Sequence, residues 1–186
     1  MNNFENCNIF NENIESLSSI SIDKNSKTYM TNSLLKAVNF DKVKEQYSHD
    51  LEISQVPASC DAILRLSNNK FIFIEFKNGK ISSEEKRDIN LKLRDSLLLF
   101  CDILKCTVTD TRNLVEFILV YNAEKNNLNN KKISPYDDIV TKVGRYAAEE
   151  IIRFGFKKFQ NLYFYKVHTY NETEFENYLE KIETSQ

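Results

Sequence analysis

The run Lys70-Phe71-Ile72-Phe73-Ile74-Glu75-Phe76-Lys77 constrains the fold of this chain more than any other stretch. Its β-branched and aromatic residues read as a buried strand, yet it ends on a carboxylate and an ammonium two residues apart. Successive side chains of a strand point to opposite faces. Glu75 and Lys77 therefore share a face with Phe71 and Phe73, while Ile72, Ile74 and Phe76 fill the other. Charges drawn into a covered face cost free energy unless they pair or serve chemistry. The preceding segment, Ser59-Cys60-Asp61-Ala62-Ile63-Leu64-Arg65-Leu66, reads as a second strand joined through a Ser67-Asn68-Asn69-Lys70 hairpin turn, and it brings Asp61 to the same edge. Two carboxylates and a lysine converging there suit a divalent metal and a phosphodiester. The plainer arrangement is an ordinary ion pair on a solvated sheet, with Asp61 ending a turn. A face that is aromatic at one end and charged at the other fits a core opening into a cleft better.

Asp61 followed by Glu75-Phe76-Lys77 on an apolar strand resembles the PD-(D/E)xK nuclease superfamily. The resemblance implies that Asp61 and Glu75 hold Mg2+ or Mn2+, helped by the backbone carbonyl of Phe76. It also implies that Lys77 orients the attacking water and stabilises transition-state charge. Magnesium prefers oxygen ligands, needs few protein carboxylates and keeps several waters, which two acids can satisfy. Cys60 stands where the motif has proline, and the nearest proline is Pro57; that motif position varies widely in the family. The family's first helix often supplies a further acid, for which Glu45 is the candidate, with Asp50 and Glu52 behind it. The helix after the motif often returns a polar residue to the cleft, a role open to Lys92, Asp95, Ser96 or Arg94.

Along the chain, residues 1–30 are rich in Asn, Ser and Glu and read as a loosely packed lead-in, with a candidate strand through Ile20 and Ile22. Residues 31–186 read as a single nuclease-like domain. Thr31 to Tyr47 reads as a helix on Leu34, Leu35, Val38 and Val43, and Asp50 to Ser54 as a strand broken by Pro57. After the strands around the motif and the Asn78-Gly79 turn, Ser82 and Glu85 form a capping-box pattern. Ile89, Leu93, Leu97, Phe100 and Leu104 then make the core stripe of a helix. Asn113 to Tyr121 reads as a strand. Ser134, Pro135 and Asp137 open a helix carrying Ile139, Val143, Ala147 and Ile151 and closed by Gly155. A strand over Leu162 to His168 and a helix from Asn171, with Phe175, Tyr178 and Ile182, complete the chain. The expected fold is α/β: a restriction-endonuclease-like αβββαβ core with a mixed central sheet flanked by helices, plus a C-terminal helix-strand-helix extension. The resemblance spans about Thr31 to Tyr121.

Composition narrows the function classes. The 186 residues are 41% hydrophobic and 28% charged, as in a globular protein, with no apolar run long enough to span a bilayer. The start of the chain lacks the basic and apolar regions of a secretory signal, so the expected localisation is cytoplasmic. Cys7, Cys60, Cys101 and Cys106 lack the paired spacing of a zinc site, and only His49 and His168 could assist them. A glycine-rich phosphate loop is missing, which argues against P-loop nucleotide hydrolysis. Net charge is −2, a balance that disfavours strong non-specific nucleic-acid binding. Cations nevertheless gather at Lys125, Lys131, Lys132, Lys142, Arg145, Arg153, Lys157 and Lys158, ahead of the acidic stretch from Glu172 to Glu183.

The resulting expectation is a Mg2+- or Mn2+-dependent nuclease acting on DNA or RNA, in phage defence, mobile-element processing or bacterial competition. The rival is a catalytically inactive interaction protein on the same fold, immunity- or antitoxin-like or an accessory subunit. For it Tyr163, Phe164, Tyr165 and Tyr170 would form a protein-partner surface. A homodimer fits both.

Overall fold

The structure, a computed structural model, describes residues 4, 7–126 and 152–184. The helix expected from Ser134 to Gly155 lies almost wholly outside the described residues, as do Lys131, Lys132, Lys142 and Arg145. A six-stranded sheet organises the rest, in the order β1 (Ile14–Ser16), β4 (Lys36–Asn39), β5 (Ala62–Arg65), β6 (Phe71–Lys77), β7 (Val115–Tyr121) and β8 (Lys166–Asn171). Two short strands, β2 (Ile22–Asp23) and β3 (Thr28–Tyr29), form a separate hairpin. The sheet is mixed: β1, β4, β5 and β6 pair antiparallel, whereas β6, β7 and β8 run parallel.

The helices are α1 (Asn8–Asn11), α2 (Leu17–Ile20), α3 (Phe40–Asp50), α4 (Ser83–Leu104), α5 (Val108–Leu114) and α6 (Glu172–Thr184). The parallel step from β6 to β7 needs a crossover, which α4 and α5 provide. One sheet face packs Phe71, Phe73, Phe117 and Leu119 against Phe40 and Val43 of α3 and Ile89, Leu93 and Phe100 of α4. The other packs Ile72, Ile74, Ile118 and Val120 against Leu17, Phe175 and Leu179. Every residue of β7 is buried, which explains its unbroken apolar pattern.

The Asp61 hairpin, β6 and α4 lie where the sequence places them. Asn69, at φ 60°, makes the turn, and Ser82 Oγ accepts from Glu85 N at 3.2 Å to cap α4. Other elements differ. The helix expected from Thr31 begins at Phe40 instead. Lys36–Asn39 is drawn into the sheet, with Val38 between Ile14 and Ile63, and Asn39 caps the helix by accepting from Lys42 N at 3.3 Å. Leu34, counted on the apolar side of that helix, is 78% exposed. The strand expected over Asp50 to Ser54 does not form. β4 holds the place beside β5, Ile53 N bonds back to Ser48 O at 2.9 Å, and Glu52 takes φ 54°.

Thr107 and Asp110 form a reciprocal capping box that builds α5 over residues read as loop and strand start, so β7 begins at Val115. The last strand is Lys166–Asn171 rather than Leu162 to His168, because Phe156–Phe159 coils into a 3-10 turn and Asn161 bends back at φ 62°. Residues 1–30, expected as a loose lead-in, supply β1 and bury Phe10 and Leu17 completely. The candidate strand through Ile20 and Ile22 is β2 together with the end of α2. The expected αβββαβ order also differs: α3 lies between the antiparallel strands β4 and β5, not ahead of the strands.

Candidate metal centre

Asp61 is held by its backbone and side chain alike. Its N–H donates to Ile74 O at 3.1 Å and its carbonyl accepts from Phe40 N at 3.0 Å, joining β6 to the start of α3. Just upstream, α4 grips the chain: Asp95 Oδ2 accepts from Ala58 N at 2.9 Å and Ser96 Oγ from Cys60 N at 2.7 Å. Positions 92, 95 and 96 share one helical face, so Lys92 reaches Asp61 Oδ1 at 3.3 Å from that same face. Asp61 Oδ2 accepts from Phe76 N at 2.6 Å. In an extended strand the N–H and C=O of one residue point to the same edge. The Phe76 carbonyl therefore leaves β6 on the side from which Asp61 approaches.

Glu75 lies on the α4 face of β6, its side chain 1% exposed. Lys92 Nζ is 2.7 Å and Lys77 Nζ 3.5 Å from its Oε1. Its Oε2 is buried and has no hydrogen-bond partner among the described residues. Burial, reinforced by the Asp61 charge and only partly offset by Lys92 and Lys77, pushes the Glu75 carboxyl up to about 8. Asp61 is likewise raised by burial, against the pull of Lys92 and the Phe76 amide. Burial works against the charged form of Lys92, but Glu75 and Asp61 outweigh it and hold the ammonium above its ordinary range. Lys77 also pairs with Glu85 Oε2 at 3.0 Å, in the first turn of α4.

The site opens into a cavity of about 790 Å3 lined by Asp61, Lys77 and Asn78, by Asp41 and Glu45 of α3, and by the β2–β3 hairpin. Asn78 fastens that hairpin: its Nδ2 donates to Asp23 Oδ2 at 2.9 Å and to Ser26 Oγ at 2.8 Å, and its Oδ1 accepts from Asn122 Nδ2 at 2.9 Å. The cavity sits beyond the C-terminal end of β6, the side of a parallel sheet on which ligands commonly bind.

The structure thus brings Asp61, Glu75, Phe76 and Lys77 together and adds Lys92 between the two acids. Glu45 lines the outer wall of the cavity without a hydrogen bond to Asp61 or Glu75. The α3 acid nearer the centre is Asp41, which accepts from Ser59 Oγ and Lys44 Nζ at 2.7 Å each. Burial raises Asp41, but Lys44 and Ser59 overcome that and hold its carboxyl below the ordinary range. In a helix running from Thr31 to Tyr47, Asp41 falls mid-helix with nothing to mark it. A helix beginning after Asn39 puts Asp41 in the first turn, beside the strand end.

Asp50 and Glu52 are exposed, as is His49, whose nearest partner is Asp50 at 3.4 Å. Arg94 is exposed, whereas Tyr121 is buried in the core. Burial pushes the Cys60 thiol up, and Cys101 reaches about 12 through burial and its neighbour Cys106, so neither is an activated thiol.

Among the described residues no group of three or more His, Cys, Asp and Glu side chains is arranged to hold a metal. Two carboxylates, one of them with an orphaned buried oxygen, and a strand-end carbonyl nevertheless fit a hard cation that retains most of its waters. Set beside known proteins, the chain matches no family model, no curated protein and no solved structure. Among the described residues no helix is long and apolar enough to cross a membrane.

Proposed function

We propose that this chain is a metal-dependent nuclease that hydrolyses phosphodiester bonds in DNA or RNA on a restriction-endonuclease-like core. The observation that carries the reading is Glu75: a wholly buried carboxylate with an oxygen that has no partner among the described residues, beside Asp61, which itself lines an open cleft together with Lys77. Such desolvated, perturbed acids cluster at functional sites. The antiparallel β4–β5–β6 unit followed by a parallel β7 through α4 supports the core assignment.

Asp61, Glu75 and the Phe76 carbonyl would hold Mg2+ or Mn2+. When bound, the ion supplies Lewis acidity toward the phosphate and a bound water of lowered pKa. The protein's own residues do the rest. The Phe76 amide fixes the Asp61 carboxylate, and the grip of α4 on residues 58–60 sets the distance between the two acids. Lys77, its side chain 22% exposed, presents a proton-bearing cation at the cleft floor, where it orients water and offsets charge developing on the phosphate. Glu85 steers that ammonium. Cutting both strands of a duplex takes two such centres, which a homodimer would supply.

Lys92 favours a second reading. An ammonium seated between the two acids offsets part of their charge without metal, as expected of a catalytically inactive interaction protein that binds a protein partner. Cleavage of labelled single-stranded and duplex DNA and RNA with Mg2+ or Mn2+, beside Lys77→Ala, separates the two. Metal-dependent cutting that Lys77→Ala abolishes is the expected result. No cutting, together with no heat of Mn2+ binding, would overturn the nuclease.

A further inference from the structure

The ammonium of Lys92 lies where a cation shared by Asp61 and Glu75 would lie, 3.3 Å from one carboxylate and 2.7 Å from the other. Magnesium binds oxygen at about 2.0–2.1 Å, so an ion bridging those oxygens and the ammonium cannot occupy the position together. The helix beneath Lys92 is fixed, since Asp95 and Ser96 on the same face are bonded to Ala58 and Cys60. The side chain is held only by its head: a flexible four-carbon stem, 24% exposed, leaves it free to swing once its bonds to Asp61 and Glu75 are exchanged. A further acid lies on the cleft side, since Asp41, which accepts from Ser59 Oγ and Lys44 Nζ at 2.7 Å each, lines the same cavity as Asp61.

We propose that Lys92 is the resident counter-cation of the metal-free centre and a competitor that the divalent ion must displace. It thereby sets the metal concentration at which the site fills. The proposal deepens the nuclease reading and rests on its metal centre. The protein folds with Lys92 offsetting part of the buried negative charge, and metal entry exchanges one cation for another, with the ammonium moving toward Asp41.

The test is calorimetric titration of Mn2+ into the full chain at pH 8.5, comparing the wild type with Lys92→Met, Lys92→Gln and Lys92→Arg, each first checked for folding by circular dichroism. Lys92→Met and Lys92→Gln should bind Mn2+ about tenfold or more tightly than the wild type, and Lys92→Arg, which keeps the charge, should stay near it. Asp61→Ala should abolish the heat. If both neutral variants bind Mn2+ with wild-type or weaker affinity, the competing role is overturned while the metal centre stands. If no protein in the series binds Mn2+, the metal centre itself is overturned, and Lys92 with it. Should Lys92→Met fail to fold, Lys92→Gln, which keeps the stem and a polar head, decides the matter.

Discussion

Two carboxylates are buried on opposite faces of this sheet, and they respond to burial in opposite directions. Glu75 faces α4 and is pushed up to about 8, because burial and the Asp61 charge exceed what Lys92 returns. Glu116 faces α6, where burial also acts upward. There His168 Nε2 at 3.4 Å, with more distant Lys166 and Lys70, outweighs it and holds the carboxyl below its ordinary range. Tyr178 donates to the same Glu116 oxygen at 3.4 Å, and Tyr170 hydroxyl lies 3.0 Å from His168 Nδ1. Desolvation alone does not make a reactive acid. What differs is a like charge beside Glu75, an oxygen without a partner among the described residues, and neighbours in Asp61 and Lys77 that line an open cleft.

Activity should divide the two most sharply. Asp61→Asn or Glu75→Gln should cost more than about a hundredfold in metal-dependent cleavage, beyond what losing an outer-shell partner typically costs. Glu116→Gln should leave the rate unchanged. Equal losses in an end-labelled cleavage assay would break the contrast.

Stability against pH should show opposite slopes. The folded Glu75 pKa is raised from 4.5 to about 8. Between those values the folded state binds more protons than the unfolded, so stability falls as pH rises. The penalty is a few kcal/mol at pH 8, at about 1.4 kcal/mol per pH unit. Urea melts of metal-free protein should therefore find Glu75→Gln less pH-dependent than the wild type from pH 5 to 8. The Glu116 pKa is lowered, so its contribution is present above pH 4.5 and is lost as the solution is acidified through the folded value. Glu116→Gln should be the less stable variant at pH 7.

Metal ligands bind deprotonated. Manganese should therefore raise the melting temperature more at pH 8 than at pH 6, and a larger shift at pH 6 would count against Glu75 as a ligand. Ser96→Ala strands the buried Cys60 amide, now bonded at 2.7 Å, and should cost about 1–3 kcal/mol in chemical denaturation. Tyr178→Phe, losing a long 3.4 Å contact on the other face, should cost the least, about 0.5–1 kcal/mol.

Local pattern made much of this readable. The alternation over Phe71–Lys77, the Asn-rich turn and the Ile89–Leu104 stripe specify β6, the hairpin and α4, and they bring Asp61, Glu75 and Lys77 to one edge. Lys92, Asp95 and Ser96 were visible as polar residues beside that stripe, but not the separate grips they make. Those depend on the register of a helix against chain 17 to 37 residues away.

The sequence by itself determined which strand carries the charges and which of its faces they share, because strand and helix periods are properties of neighbouring residues. Tertiary structure alone decided the rest. Lys36–Asn39 became a strand because β5 and β1 offered backbone partners on both sides. Residues 14–16 joined the sheet as its edge because β4 offered them backbone partners on one side, and Asn78 gained the β2–β3 hairpin as its partner. Lys92 became the cation between Asp61 and Glu75 because two buried carboxylates demand positive charge, and folding brings the nearest flexible ammonium within reach.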